Sequence, residues 1–148
     1  MTAAETQAFR ELLEDGRYSI VVSVVSSPAS PGAAPTTPAL PYVVIHPERD
    51  QDEQERVTGP AVHRRPSWAV HAVGESTEAA QLVMGFVDDH LRPPPSRWGV
   101  VPVVAGQTTK RIRRDDLQGV DIDDSTLPAV CFQVASYSFE SSPEQLPA

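Results

Sequence analysis

The sequence predicts an α+β domain, a small mostly antiparallel or mixed sheet with two helices packed on one face and an added β-hairpin. Two observations lead to this fold class. Short runs of β-branched and aromatic residues, bounded by Pro and Gly, are typical of strands. Two further segments, 2–13 and 77–91, carry apolar residues at helical spacing. Because the chain has 148 residues, one domain is the simplest organisation.

The first helix is predicted over residues 2–13. Thr2 and Glu5 have the spacing of a capping box, and Gly16 follows at a position where a helix would end. The second helix is predicted over 77–91, with Ser76 as its N-cap and Pro93 after its end. The apolar face of this second helix consists of Ala79, Leu82, Val83, Phe86, Val87 and His90.

Four strands and one hairpin are predicted. The strands are Tyr18 to Val25, Pro41 to His46, Arg65 to Val73 and Ala129 to Phe139. The first of these is β-branched and nearly all apolar, so we expect it to be well buried. The hairpin is predicted from Trp98–Val104 and Thr108–Arg113, which flank a three-residue connection.

Two loops and the C-terminal tail are predicted to be flexible. Residues 26–40 contain four prolines. Because proline lacks a backbone N–H, this segment is expected to form neither a helix nor a strand. Residues 48–60 are strongly charged, so we expect them to be mobile in an isolated subunit. The polar tail, 140–148, is predicted to fray.

Composition restricts the classes of function. The net charge is −8 and the pI is about 4.8. This acidity disfavours the binding of nucleic acid over the whole protein surface, because phosphate binding depends on Lys and Arg. No apolar run approaches the ~20 residues that cross a bilayer, and the first residues lack a secretion signal. The single cysteine, Cys131, indicates synthesis in a reducing cytoplasm.

No catalytic, cofactor or metal site is predicted, so the sequence does not indicate an enzyme. The four histidines lack metal-ligand spacing. Cys131 lies within a predicted strand, where an inert buried thiol is expected. The acidic run from Asp121 resembles a calcium loop, but Thr126 and Phe132 occupy the positions that need Gly and Glu.

Two charged segments are the candidate partner interface. The first comprises Glu48, Arg49, Asp50, Asp52, Glu53, Glu55 and Arg56. The second comprises Lys110, Arg111, Arg113 and Arg114. Three interpretations of the basic segment stay open: a phosphate contact, an interface with acidic residues of a neighbouring subunit such as 50–55 or 121–124, and a solvated hairpin.

The order of several short segments resembles one protein family. The segments are PYVVIHP (41–47), VTGP (57–60), VHAVGES (70–76), the helix 78–91, RRDD (113–116), LP (127–128) and the strand 130–139. Together they cover about residues 5 to 140 and resemble the tail terminator proteins of long-tailed bacteriophages that infect actinobacteria. The proline-rich loop is longer than this pattern and carries nothing over.

The resemblance implies a structural role in the virion tail. Such proteins form a hexameric ring on the head-proximal end of the tail tube, end tube polymerisation and meet the head–tail connector. The implied partners are further copies, the major tail tube protein and a connector or stopper protein, with no enzymatic activity and no cofactor. DNA would pass through an acidic lumen without specific binding.

Three other functions are alternatives. One is a connector or stopper protein of the same neck region. A second is a nucleic-acid-binding module that uses residues 110–114, and a third is a small enzyme built around Cys131 or a histidine.

Overall fold

The computed structural model describes residues 3–23, 39–48, 51–53, 63–125 and 128–144. Its helices are α1 (Ala3–Leu13) and α2 (Thr77–Leu91). Its strands are β1 (Ser19–Val22), β2 (Tyr42–Pro47), β3 (Gln51–Glu53), β4 (His63–Arg65), β5 (Ser67–Gly74), β6 (Gln107–Thr109), β7 (Arg113–Leu117), β8 (Asp121–Asp123), β9 (Val130–Ser138) and β10 (Ser141–Pro143).

The main sheet is mixed, with strand order β1-β2-β5-β9-β7. Only β1 and β2 pair in parallel, while the other described neighbours in this sheet are antiparallel. Strands β7 and β8 share one edge of β9, with β7 beside its C-terminal half and β8 beside its N-terminal end. The α+β class predicted from the sequence is therefore confirmed.

Both helices pack on one face of this sheet. Phe9 of α1 stacks on Trp68 of β5, with ring centroids 4.5 Å apart, and the Trp68 indole donates to Thr6 Oγ1 at 3.3 Å. The buried cluster on this face also takes in Val83 and Val87 of α2. Burial of such large apolar side chains is the main favourable term in folding.

The second helix has the bounds that the sequence predicts. The Ser76 side chain accepts a hydrogen bond from Ala79 N at 3.2 Å, as an N-cap does. Near the other end, the buried Tyr137 hydroxyl donates to Asp88 Oδ1 at 3.0 Å. Burial and the adjacent carboxylate raise the pKa of Tyr137, so this phenol stays a donor. The bond ties α2 to β9.

A second, smaller sheet has strand order β3-β4-β10-β6, and two predictions fail on it. Strand β3 lies in a segment predicted to be a loop, and the register places Asp52 opposite Arg64. Strand β10 lies in the tail predicted to fray, yet it pairs with β4 and β6 and buries Ser141. These strands are only three residues long and lack large apolar residues, so no local pattern marks them.

The predicted hairpin of 98–104 and 108–113 is wrong. The first segment forms no strand, because Pro102 has no N–H to give to a ladder. Strands β6 and β7 pair instead with β10 and β9. The two segments still run beside each other, since Ile112 N donates to Val100 O at 2.9 Å.

Two predicted strands also differ from the structure. The strand from Arg65 is divided at Pro66, so that β4 enters the small sheet and β5 the main one. The first strand is an edge strand rather than a well-buried one, with Ile20 buried and Val21 36% exposed. Residues 24–25, predicted to extend it, lie outside the described residues, as do 26–38 of the proline-rich loop.

Candidate functional site

Three of the predicted interface cations meet around one cavity. Lys110, Arg111 and Arg113 line a cavity of about 420 Å³, together with Arg65 from β4. Val101, Ser138, Phe139 and Glu140 complete its lining. The sequence did not indicate Arg65, because its approach depends on the pairing of β4 and β6 with β10.

A tight backbone contact holds the basic segment in place. A Cβ built on Gly99 would lie 1.7 Å from Ile112 O, so only glycine permits this approach. The Ile112 side chain is buried in the core. Its neighbours Lys110 and Arg111 are exposed, so one buried residue fixes the position of two exposed cations.

Glu140 joins two of the cations. Its carboxylate contacts Lys110 Nζ at 2.7 Å and an Arg65 guanidinium nitrogen at 2.8 Å. Hydrogen bonds from Lys110 and then Arg65 hold the pKa of Glu140 below its usual value. The carboxylate therefore stays ionised and brings the two cations together across the strand pairing.

Arg111 is paired with an exposed aromatic ring. Its guanidinium carbon lies 5.2 Å from the ring centroid of Trp98, and its NH1 donates to Gly99 O at 3.1 Å. Trp98 is 67% exposed, and Val101 and Val103 beside it are 49% and 90% exposed. Exposed Trp and Arg side chains this close together are typical of the residues that dominate protein–protein binding energy.

A second cavity of about 560 Å³ adjoins the first and adds three arginines. It is lined by Arg92, Arg97 and Arg114 as well as by Arg111 and Arg113. Asp88 accepts ion pairs from all three added arginines at 3.3–3.5 Å, and Asp89 pairs with Arg97 at 2.5 Å. Arg114 therefore lies on the helix side of the sheet, away from Arg65.

We call these seven cations the basic cluster. They are Arg65, Arg92, Arg97, Lys110, Arg111, Arg113 and Arg114. The carboxylates paired with them include Asp88, Asp89, Asp115 and Glu140. Seven of the twelve Lys and Arg residues thus line two adjoining cavities of an acidic molecule.

A buried hydroxyl lies at the edge of the cluster. Ser138 is 2% exposed and lines both the 420 Å³ cavity and a neighbouring one of about 320 Å³. Its Oγ has no hydrogen-bond partner among the described residues. An unsatisfied buried hydroxyl is unusual because its desolvation is not offset.

The predicted acidic interface is only partly described. Glu48 accepts a hydrogen bond from Ser67 Oγ at 2.9 Å and shares the 320 Å³ cavity with Arg65 and Arg113. Asp52 and Glu53 lie in β3, at register positions opposite β4. The other predicted residues, Arg49, Asp50, Glu55 and Arg56, lie outside the described residues.

The face of the main sheet opposite the helices carries a histidine pair that sequence reasoning did not assign. The rings of His46 and His71 lie 4.3 Å apart, and His71 stacks on Phe132 at 6.1 Å. Burial lowers the pKa of both histidines, and a charge on His46 would lower the pKa of His71 further. The alternation of side chains along β5 places His71 on this face, and the pairing of β5 with β2 supplies its neighbour His46.

The described residues contain no group of three His, Cys, Asp or Glu side chains arranged to hold a metal ion. Within the same ranges, neither helix is long and apolar enough to span a membrane. Cys131 is buried, as predicted. No protein-family model matches the chain, and no curated protein matches it significantly.

Proposed function

We propose that this protein is a structural virion component, a tail terminator that forms a ring, of six copies by the family pattern, on the head-proximal end of a phage tail tube. The order of segments in the sequence supports this role, as does the α+β fold with two helices on a mixed sheet. In this proposal the protein ends tube growth and joins the tail to the connector.

The observation that carries the proposal is the basic cluster with its exposed Trp98 on a chain of net charge −8. A positive patch on an otherwise negative molecule favours contact with a different, acidic patch of another copy. Contacts between different patches of identical subunits are heterologous, and they close into rings when the rotation per subunit permits.

A ring component also needs surfaces for its neighbours along the tail. The face of the main sheet opposite the helices, which we call the open face, offers one. His46, His71 and Phe132 on this face are partly exposed, whereas Val73 is buried. Such partly apolar sheet faces are typical of interaction sites. The acidity of the remaining surface fits a lumen through which DNA slides without binding.

Electron microscopy of tail tubes tests this proposal. Tube protein polymerised with this chain is expected to give short tubes with a ring at one end, whereas tube protein alone grows on. Rings located on the connector side of a completed neck would instead favour the stopper alternative. Tubes that grow equally long and bear no ring would contradict the proposal.

A matched pair of variants makes the test specific to the proposed surface. Trp98→Ala removes an exposed aromatic side chain beside the basic cluster, and we expect it to weaken capping at least about tenfold, as hot-spot tryptophans do. Leu82→Ala is the control, because Leu82 is 70% exposed on α2. If capping is weakened equally in both variants, Trp98 is not part of the contact surface.

A further inference from the structure

We infer that the acidic strand β8 of one copy docks into the basic cluster of the next copy, so that subunits join head to tail. This inference rests on the proposed function, because it names the contact that would build the ring. Strand β8 and the turn after it read Asp121-Ile122-Asp123-Asp124, with Asp121, Ile122 and Asp124 exposed.

The cavity has the chemistry that such a segment needs. Its rim carries Arg65, Lys110, Arg111 and Arg113, and its wall includes the apolar Val101 and Phe139. Arginine binds carboxylates through two parallel hydrogen bonds, which fixes orientation as well as charge. The buried Ser138 hydroxyl at its edge lacks a partner among the described residues, as expected beside an incomplete polar site.

The docking segment matches this cavity in both charge and apolarity. Ile122 is 60% exposed between two aspartates, and it offers an apolar side chain to Val101. Asp123 accepts hydrogen bonds from Ser125 N and Oγ at 3.0 and 2.5 Å. This turn fixes the backbone after β8, so the backbone that carries Asp121 and Asp124 has a defined conformation.

The two surfaces cannot meet within one copy. Asp123 lies opposite Val130 and Arg113 opposite Ser138, at the two ends of β9. Eight residues of strand separate these positions by about 26 Å. A contact between them must therefore join different copies, and each copy would offer one surface at each end.

Charge favours a second copy over a nucleic acid as the occupant. The basic cluster holds seven of the twelve Lys and Arg residues, so the remainder of the chain has five cations and most of the 20 Asp and Glu residues. That remainder attracts the cluster of another copy and repels phosphates. The exposed Trp98, Val101 and Val103 add apolar area suited to a protein.

Charge reversal of each surface tests the inference. Arg111→Glu with Arg113→Glu reverses the cavity, and Asp121→Lys with Asp124→Lys reverses the strand. We expect each double variant alone to raise the protein concentration needed for assembly on tail tubes at least about tenfold. An equimolar mixture should restore wild-type assembly, because each variant then meets an oppositely charged partner surface.

Matched controls separate this contact from net charge. Arg10→Glu with Arg17→Glu changes the charge as the cavity variant does, and Glu11→Lys with Glu78→Lys changes it as the strand variant does. These side chains belong to α1, the turn after it and the start of α2. Both controls should assemble like wild type, and circular dichroism should show that all variants fold.

The outcomes distinguish the inference from the proposed function. If both charge-reversal variants still form rings as the wild type does, the docking contact is overturned but the proposed ring is not. A wild-type chain that never associates, even on tail tubes, would overturn both. Tight, salt-sensitive binding of short duplex DNA that is lost in the cavity variant, without self-association, would assign the cluster to nucleic acid instead.

Discussion

The two faces of the main sheet use the same strands for different purposes. The helix face of β5 presents Trp68, Val70 and Ala72, all fully buried. The opposite face presents Ala69 and His71, which are partly exposed, and Val73, which is buried. Because successive side chains of a strand point to opposite faces, one eight-residue segment contributes to both the core and the open surface.

The two faces are expected to contribute differently to the stability of the free subunit. Covered positions bury their apolar area within one copy, so they stabilise the free subunit. Open positions, such as Phe132, keep part of that area for contact with another molecule. We therefore expect large stability effects on the helix face, and small ones on the open face and in the basic cluster.

The largest expected effect comes from Trp68→Ala. The substitution removes a fully buried ring that stacks on Phe9 and Phe139, and it should lower the free energy of unfolding by about 3–5 kcal/mol. Urea denaturation followed by circular dichroism measures this. A loss below about 1 kcal/mol would show that the helix face is not the stabilising face.

Phe132→Ala is the counterpart on the open face. Because Phe132 is only partly buried, we expect a smaller loss than for Trp68→Ala, about 1–2 kcal/mol in the free subunit. The same denaturation experiment checks it. A loss as large as that of Trp68→Ala would mean that the two faces do not differ in their contribution to stability.

Ser138→Ala should be neutral or slightly stabilising. It removes a buried hydroxyl without a partner among the described residues, so the free energy of unfolding should stay equal or rise by up to about 1 kcal/mol. Thr109→Ala is a contrasting control, because the Thr109 hydroxyl donates to Pro102 O. A clear destabilisation by Ser138→Ala would show that the hydroxyl is satisfied.

The smallest expected effect is a dependence of stability on pH. Burial lowers the pKa of His46 and His71 in the folded state, so the unfolded chain takes up these protons first as the pH falls. Stability should be full above the unfolded value of about 6.5 and be lost as pH falls from there through the folded pKa values.

Denaturation between pH 7.5 and 5 measures this slope. Replacing both histidines of this pair with glutamine should flatten the dependence of stability on pH. Stability that rises toward pH 5 in the wild type would show that protonation of the histidine pair favours the folded state, contrary to this expectation.

The sequence predicted correctly those elements whose bounds depend on residues close to them in the chain. The bounds of α2 follow from Ser76 at its start and Pro93 after its end, and both act within one turn of the helix. The runs of β-branched and aromatic residues in β5 and β9 likewise predicted two strands of the main sheet. Four of the seven cations of the basic cluster were visible in the sequence as a run at 110–114.

Non-local pairing explains what the sequence did not predict. Arg65 reaches Lys110 only because Glu140, 75 residues from Arg65, lies between them. The three-residue strands β3, β4, β10 and β6 pair in that order in the small sheet and carry no apolar pattern. Pro102 turned a predicted hairpin into a loop that exposes Val101 and Val103, since a strand partner could not pair with it.

The head-to-tail contact can be tested most directly by zero-length cross-linking of amines to carboxylates. Lys110 is the only lysine of the chain, and its contact with Glu140 provides an internal reference. In assemblies of mixed light and heavy-isotope copies, we predict cross-links from Lys110 to residues 121–124 of a different copy. Cross-links from Lys110 to Glu140 of the same copy alone would contradict the head-to-tail contact.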